Sequence, residues 1–444
     1  MSRSHDHHLN GADVKAKEGG VAVARCWVNR RQASRHEGQR VRMRPSDAGT
    51  GRSADPPRIV YAFMIALLAM AAVSSCLSAS GRVASGKGPG GPEAPVIREM
   101  VPIGGGKVVV EVCAPTDLLF SDPTVYVVDT NRKSGHAIDM PKGGMSSIGP
   151  CTGARGFVFT HAPQDMPPQL GDIGVWCEDS GYRLLGISPT NARPQCSPSG
   201  RSVAFCHIAM PDEPRYHVAH SLEQDGIWVL DLQRDRGLQI SHPGHAESDM
   251  SPIWSQDGTR IVFARMRHHI GEAEKQPAFE ADLWVAEADG SRERQITYFG
   301  DALPPVLWRA SAGPIFFLRG KQGVGGSSAS EVSLWQIDPL GRHAREVLSA
   351  DRLHNARDQG DAVMSPNGDR VAVLRHTETR ALSSIRIVST DSDRSEVVTA
   401  AGPVSHCAWA EDGNRLFFVT NLRELWSVHV DRPSRAERLW MVPQ

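Results

Sequence analysis

The residues able to do chemistry in this chain are a few scattered histidines and cysteines. His242, His245, His354 and His406 fall in loops or at the starts of apolar runs. Converging imidazoles are a common way to hold Mn or another divalent metal. Convergence would need the fold to gather four distant segments, and isolated loop histidines usually face solvent. The metal is therefore left open, and no cofactor is assigned. His5-Asp6-His7-His8 has metal-binding residue types, but it sits in a polar stretch without periodicity and reads as unstructured. Beyond residue 77 the cysteines are Cys113, Cys151, Cys177, Cys196, Cys206 and Cys407. Their even number permits disulfides in an oxidising compartment. Cys196 and Cys206 flank the Ser199-Gly200 turn almost symmetrically, so they could face each other across a hairpin; two small buried residues on adjacent strands is the other reading.

Other catalytic signatures are missing from the sequence. It has no Gly-x-Ser-x-Gly nucleophile elbow, no His-Glu-x-x-His and no Cys-x-x-Cys pair. The glycine-rich stretches at 104–107 and 323–328 lack the Lys-Ser/Thr ending of a phosphate loop and read as turns. No residue is assigned a catalytic role.

The elements that must position these residues repeat six times between 146 and 439. Each copy is a tight glycine turn, a short apolar strand, then an aromatic strand that ends near an acid. The clearest turns are Ser197-Pro198-Ser199-Gly200-Arg201, Ser255-Gln256-Asp257-Gly258-Thr259, Ser365-Pro366-Asn367-Gly368-Asp369 and Ala410-Glu411-Asp412-Gly413-Asn414. Asx-Gly supplies the positive-φ positions that tight hairpins require. The following strands begin at Val203, Ile261, Val371 and Leu416; Phe157 and Ile315 mark two degenerate copies. Successive steps are 46, 58, 54, 56 and 45 residues. Trp228, Trp284, Trp335 and Trp426 recur on the next strand, where large rings are expected to fill the wedge between units. Asp231, Glu287 and Asp338 follow three of them.

A weaker copy, with Val108 in the second strand and Tyr126 in the aromatic strand, lies 49 residues earlier. Strands throughout, a period near 50 and no recurring helix predict an all-β propeller, with seven blades and six as the alternative. Ring closure is expected to come from a terminal segment, 96–102 or 440–442, joining a blade begun at the other end.

Ser-Pro-Asx-Gly before an apolar strand, at this period, resembles the TolB-type (WD40-like, PD40 repeat) β-propellers over about residues 96–442. The resemblance implies the fold far more than an activity, because such propellers host docking, sugar chemistry and peptidase gating alike. Oligogalacturonate lyases resemble this repeat class and use a channel metal held largely by histidines. None of their ligands can be matched to a position in this chain.

The N-terminal part differs in kind. Residues 1–57 are polar and Arg-rich, a disordered or misassigned extension. Residues 58–76 read as a signal peptide with a lipobox, or as a single hydrophobic anchor. Their uncharged run, 59–73, is fifteen residues, short of the ~20 that span a bilayer. Val73-Ser74-Ser75-Cys76 resembles a bacterial lipobox, which implies an acylated Cys76 at the mature N-terminus. Residues 77–95, rich in Gly, Ser, Pro and Ala, form a flexible linker, and 96–444 form the propeller domain. Charge divides along the same line, +6 through Ser75 and −7 beyond it. An acidic domain does not suit the phosphate backbone, so nucleic acid is not an expected partner.

These features lead to the expectation of a secreted binding or scaffold module of the bacterial cell envelope, periplasmic or outer-membrane associated. It would be held by a lipid or a single span and would dock an envelope protein, peptide or glycan; its oligomeric state is open. The alternative is a carbohydrate-active lyase or hydrolase with a channel metal. Recognition is expected in three longer insertions, 210–224, 265–281 and 320–330, because loops on a rigid scaffold are free to vary.

Overall fold

The computed structural model describes residues 94–443 apart from segments 115–121, 152–154, 163–170, 188–189, 209–224, 245, 269–278, 309–312, 321–331, 354–361 and 377–382. Residues 1–93, with the signal segment and Cys76, lie outside the described residues.

Seven four-stranded antiparallel sheets follow one another along the chain, at 96–138, 144–184, 191–239, 247–295, 302–348, 362–398 and 404–441. These are blades 1 to 7 of a β-propeller, and the described residues contain no helix. The first strand of each blade touches the first strands of both neighbours around the whole circle. The first strands are therefore innermost and surround the central channel.

The recurrent sequence signals each have a local job. In the turns between first and second strands, Gly200, Gly258 and Gly368 share φ +70 and Gly413 has φ +67. There the amide of Gly258 donates to the carbonyl of Ser255 at 2.8 Å. The buried Ser197, Ser255 and Ser365 accept from the backbone N–H of Ser202, Arg260 and Arg370 at 3.1, 2.9 and 3.1 Å. The hydroxyl thus occupies a hairpin amide that would otherwise be orphaned. The acids that end the aromatic strands pin the next turn. Asp231 accepts from the amides of Gln233 and Arg234 at 2.9 and 3.0 Å, and Asp129 accepts from Asn131 and Arg132 at 3.0 and 2.9 Å.

Each recurrent Trp stands directly opposite a buried Phe of the second strand: Trp228 opposite Phe205, Trp284 opposite Phe263, Trp335 opposite Phe317 and Trp426 opposite Phe418. The Phe rings are fully buried and the Trp rings half-buried, so together they fill the widening outer part of the blades.

Ring closure differs from expectation. No strand is exchanged between ends: 96–104 is the first strand of blade 1, and Glu437–Met441 is the fourth strand of blade 7. The seam is held by side-chain packing and a few polar contacts instead. Ile97, Val108 and Val110 share one apolar cluster with Phe417, Val419, Leu425 and Leu439, and the Ile97 amide donates to the Leu422 carbonyl at 2.7 Å.

Strand direction sorts the connections onto two faces. Tight turns between strands one and two, and between three and four, lie on one face; connections between strands two and three, and between blades, lie on the other. Second-to-third connections run ten residues or more in blades 1, 3, 4 and 5, against three in blade 7. The blade 4 insertion is shorter than the sequence suggested. Arg265 to His268 continue the second strand and Phe279 to Ala281 begin the third, because alternating cations along that edge find partners and extend the hairpin.

Candidate functional site

The inner strands carry a repeated irregularity that gathers polar residues at one level of the channel. Glu99, Ser147, Arg193, Ser251 and His406 each lie three residues before the one paired with the first apolar residue of the second strand. At each of them the register slips at or beside this position, as at a β-bulge, which re-aims a side chain. In blades 2, 3 and 4 the bulge is left-handed, with φ 53 at Ser147, 51 at Arg193 and 54 at Ser251. None of these is glycine, so the conformation is strained by about 1–3 kcal/mol per residue and persists because the surrounding sheet enforces it. All five residues are half-buried. The blade 5 and blade 6 counterparts, Pro305 and Asp361, lie outside the described side chains.

Contacts run between these positions. Arg193 Nη1 donates to Ser251 Oγ of the next blade at 2.8 Å. His406 pairs through Nδ1 with Ser405 Oγ at 3.0 Å. Glu99 lies opposite Glu111 across the first two strands and accepts from the Ile148 amide of blade 2. Burial, reinforced by the neighbouring Glu111 charge and only partly opposed by Arg98, pushes the Glu99 carboxyl up to about 8. Arg98 is buried between blades, bound to the Glu111 carboxylate and to the Met145 carbonyl. Burial pulls the Arg193 guanidinium below its ordinary range.

A second polar group lies at the loop-bearing end of blade 4. Arg265 is buried and bidentate to Asp249, with both N···O distances 2.7 Å, and it reaches Glu293 at 2.5 Å. Its guanidinium also stacks 4.1 Å from the centre of the Trp284 ring. Burial raises the Asp249 carboxyl, with Arg265 acting against that rise. Blade 5 repeats the device: Arg319 pairs with Asp301 at 2.8 Å and lies 4.0 and 4.5 Å over Phe299 and Trp335.

His242 belongs to this group, since its Nδ1 is 3.1 Å from Glu293 Oε2. It is an exposed link residue, whereas His406 is on the inner strand of blade 7; His245 and His354 lie outside the described residues. Among the described residues no group of three or more His, Cys, Asp or Glu is placed to hold a metal ion.

Between the outer strands of blades 1 and 2 an open groove of about 410 Å³ is lined by Val127, His136, Asp139, Trp176, Glu178 and Tyr182, among others. Trp176 is buried, Tyr182 is 38% exposed, and Glu178 is tied to Lys107.

The cysteines pair differently from the hairpin expectation. Cys196 forms a disulfide with Cys151 of blade 2, with Cα atoms 5.2 Å apart. The hairpin register sets Cys196 opposite Val203 and Cys206 opposite Ala192, so the two cysteines that flank the turn never meet. Cys206 is a free, buried thiol, pushed up to about 12 by burial. Cys196 lies three residues before Ser199 and Cys206 six after Gly200, so a hairpin closed at this turn sets them three residues out of register.

The fold and the inner ring define a seven-bladed β-propeller with a polar channel. No family model and no curated protein sequence matches the chain. Solved structures do match. The β-propeller domain of the Trilobed protease from Pyrococcus furiosus, described as having an open velcro topology, is similar at TM-score 0.55 and 12% identity, over 79% of this chain and 97% of that one. The tricorn protease is similar at TM-score 0.51 and 9% identity, over 79% of this chain. This chain spans only 35% of that protein. TolB from Acinetobacter baumannii is also among the neighbours, at TM-score 0.40 and 11% identity, over 76% of this chain and 78% of that one, too loose a likeness to argue from. At these identities the likeness is one of fold.

Proposed function

We propose that this chain is an extracytoplasmic propeller of the bacterial envelope, lipid-anchored through Cys76, that docks a protein, peptide or glycan on its loop-bearing face. The observation that carries this reading is the sorting of connections. In blades 1, 3, 4 and 5 the long second-to-third-strand segments start and end on one face of a stiff disc, while the opposite face has tight turns. Variable loops on a rigid frame are the usual place for recognition. The Cys151–Cys196 disulfide supports an oxidising compartment, where such bonds persist. The hydrophobic run 59–73 and the residues before Cys76 supply the export and lipid signals. An acyl group there would hold the disc near a membrane, with several chains needed for stable anchoring.

Two measurements test the reading. Intact-mass analysis of the protein extracted from its own cells should show a chain that begins at Cys76 and carries acyl groups; an unmodified chain beginning at Met1 removes the anchor. Cross-linking in cells, with partners identified by mass spectrometry, should recover a stoichiometric envelope protein joined through residues 209–224, 269–278 or 321–331. Cross-links confined to the tight-turn face would overturn the choice of face.

A further inference from the structure

Among the described residues, the ring at the channel bulge holds one permanent charge without a counter-charge; the blade 6 position, Asp361, lies outside them. Arg193 is the only Arg or Lys among the five described ring positions, and among the described residues no carboxylate pairs with it. Among the described residues its hydrogen bond is the one from Nη1 to the Ser251 hydroxyl. The two buried arginines differ from this half-buried one: Arg98 is bound to Glu111, and Arg265 to Asp249 and Glu293. A guanidinium taken out of water is costly unless an anion and further hydrogen bonds satisfy it. Glu99, the ring's own described acid, is held largely neutral near pH 7 and so does not supply that anion. The left-handed backbone of Arg193, shared with Ser147 and Ser251 in the flanking blades, holds a cation between two hydroxyl-bearing positions at one level.

We propose that the channel binds a carboxylate-bearing ligand on the Arg193 guanidinium, with Ser147 and Ser251 as flanking hydroxyl donors. Arg presents five N–H donors in a planar fork that fits a carboxylate bidentately, and among the described residues only one is used. Ser251 accepts from Arg193, which leaves its own proton free to donate outward. A single cation matches a monoanion; a phosphate dianion would ask for a second one. This site is distinct from the docking face and goes beyond the function proposed above.

Isothermal titration of the full chain with butyrate, and with a short N-acetylated peptide of neutral side chains having a free or an amidated C-terminus, tests the assignment. Butyrate or the free-acid peptide should bind, and Arg193→Gln and Arg193→Met should each weaken that binding by about tenfold or more. Binding by the free-acid peptide but not its amide identifies a chain terminus; binding by butyrate alone identifies a small acid. Ser147→Ala and Ser251→Ala, which keep the charge, should each lower affinity severalfold and serve as the readout if both Arg193 variants fail to fold. Equal affinity in wild type and Arg193→Gln overturns the proposal. So does the absence of binding by every probe at about 10 mM, where even a millimolar site would be mostly filled.

Discussion

Tyr126 and Trp440, 314 residues apart, pack with ring centroids 4.9 Å apart and planes at 48°, and they join the first blade to the last. Trp440 lies over Gly135, where an added Cβ would fall 2.7 Å from the indole Nε1. Beside them Lys133 reaches Glu437 at 2.8 Å across the same seam. Because no strand is exchanged between the ends, these side chains and the shared apolar cluster beneath them carry ring closure.

Trp440→Ala should therefore destabilise the whole disc by about 2–4 kcal/mol, a little below the cost of removing a fully buried aromatic. Gly135→Ala should destabilise by overpacking the same contact, by about 1–3 kcal/mol. Urea midpoints read both effects. An exposed control, Tyr298→Ala, whose side chain packs little, should move the midpoint hardly at all; its ring is 77% exposed. A shift at Trp440 no larger than the control's would mean that closure rests elsewhere.

The disulfide gives a redox prediction. Cys151 and Cys196 enclose a 45-residue separation, and cross-linking a loop of that size stabilises by up to about 4 kcal/mol. Reductant should lower the melting temperature of the wild type. It should leave Cys196→Ser, already destabilised, where it was, and Cys206→Ser should still respond like the wild type. If Cys206→Ser abolishes the response instead, Cys196 is not bonded to Cys151.

The fold was legible because a blade is specified locally. A turn close to Ser-x-Asx-Gly, intact at 255–258 and 365–368 and one residue off at 197–200 and 410–413, fixes the hairpin, and alternation fixes which side chains are buried. Seven-fold counting succeeded even in blade 1, where Val110 and Tyr126 replace the Phe–Trp pair. What sequence could not give was anything dependent on register slips. The bulges that gather Glu99, Ser147, Arg193, Ser251 and His406 carry four different residue types, so no motif marks them. Cys196 and Cys206 stand at unequal distances from the Ser199-Gly200 turn, and the partner that Cys196 does find, Cys151, sits in the preceding blade, 45 residues away. Of the four candidate channel histidines, His406 does lie on an inner strand, while His242 lies against Glu293, a contact between residues 51 apart that no spacing rule reveals.

Glu99 predicts a pH dependence of stability with a definite sign. Its folded carboxyl is raised from 4.5 to about 8 by burial and by Glu111, with Arg98 opposing. Between those values the native state keeps a proton that the unfolded chain has lost. Stability from this group is full below about pH 4.5, declines as pH rises, and is gone above about pH 8. Glu99→Gln mimics the neutral form, so it should gain on the wild type across that window, by roughly 1–3 kcal/mol at pH 8 given partial solvent access. Parallel denaturation curves at pH 5 and pH 8 decide it; equal wild-type-to-variant differences at both would refute the raised carboxyl.

Arg265 offers the sharpest separation between a paired and an unpaired buried charge. Asp249 is fully buried at its side chain and accepts two of the guanidinium bonds, and Glu293 takes a third. Asp249→Ala leaves the cation with Glu293 and the Trp284 face, and should cost about 3–5 kcal/mol. Removing both partners, as in Asp249→Ala with Arg265→Leu, should cost less than the first change alone, because the buried cation is then gone and the carboxylate left behind, Glu293, is partly exposed and beside His242. A double-mutant cycle measures that difference directly. Additive losses would mean that Arg265 is held by the Trp284 and Phe263 rings and that Asp249 is an incidental neighbour, in which case Arg319 over Phe299 and Trp335 should tolerate loss of Asp301 equally well.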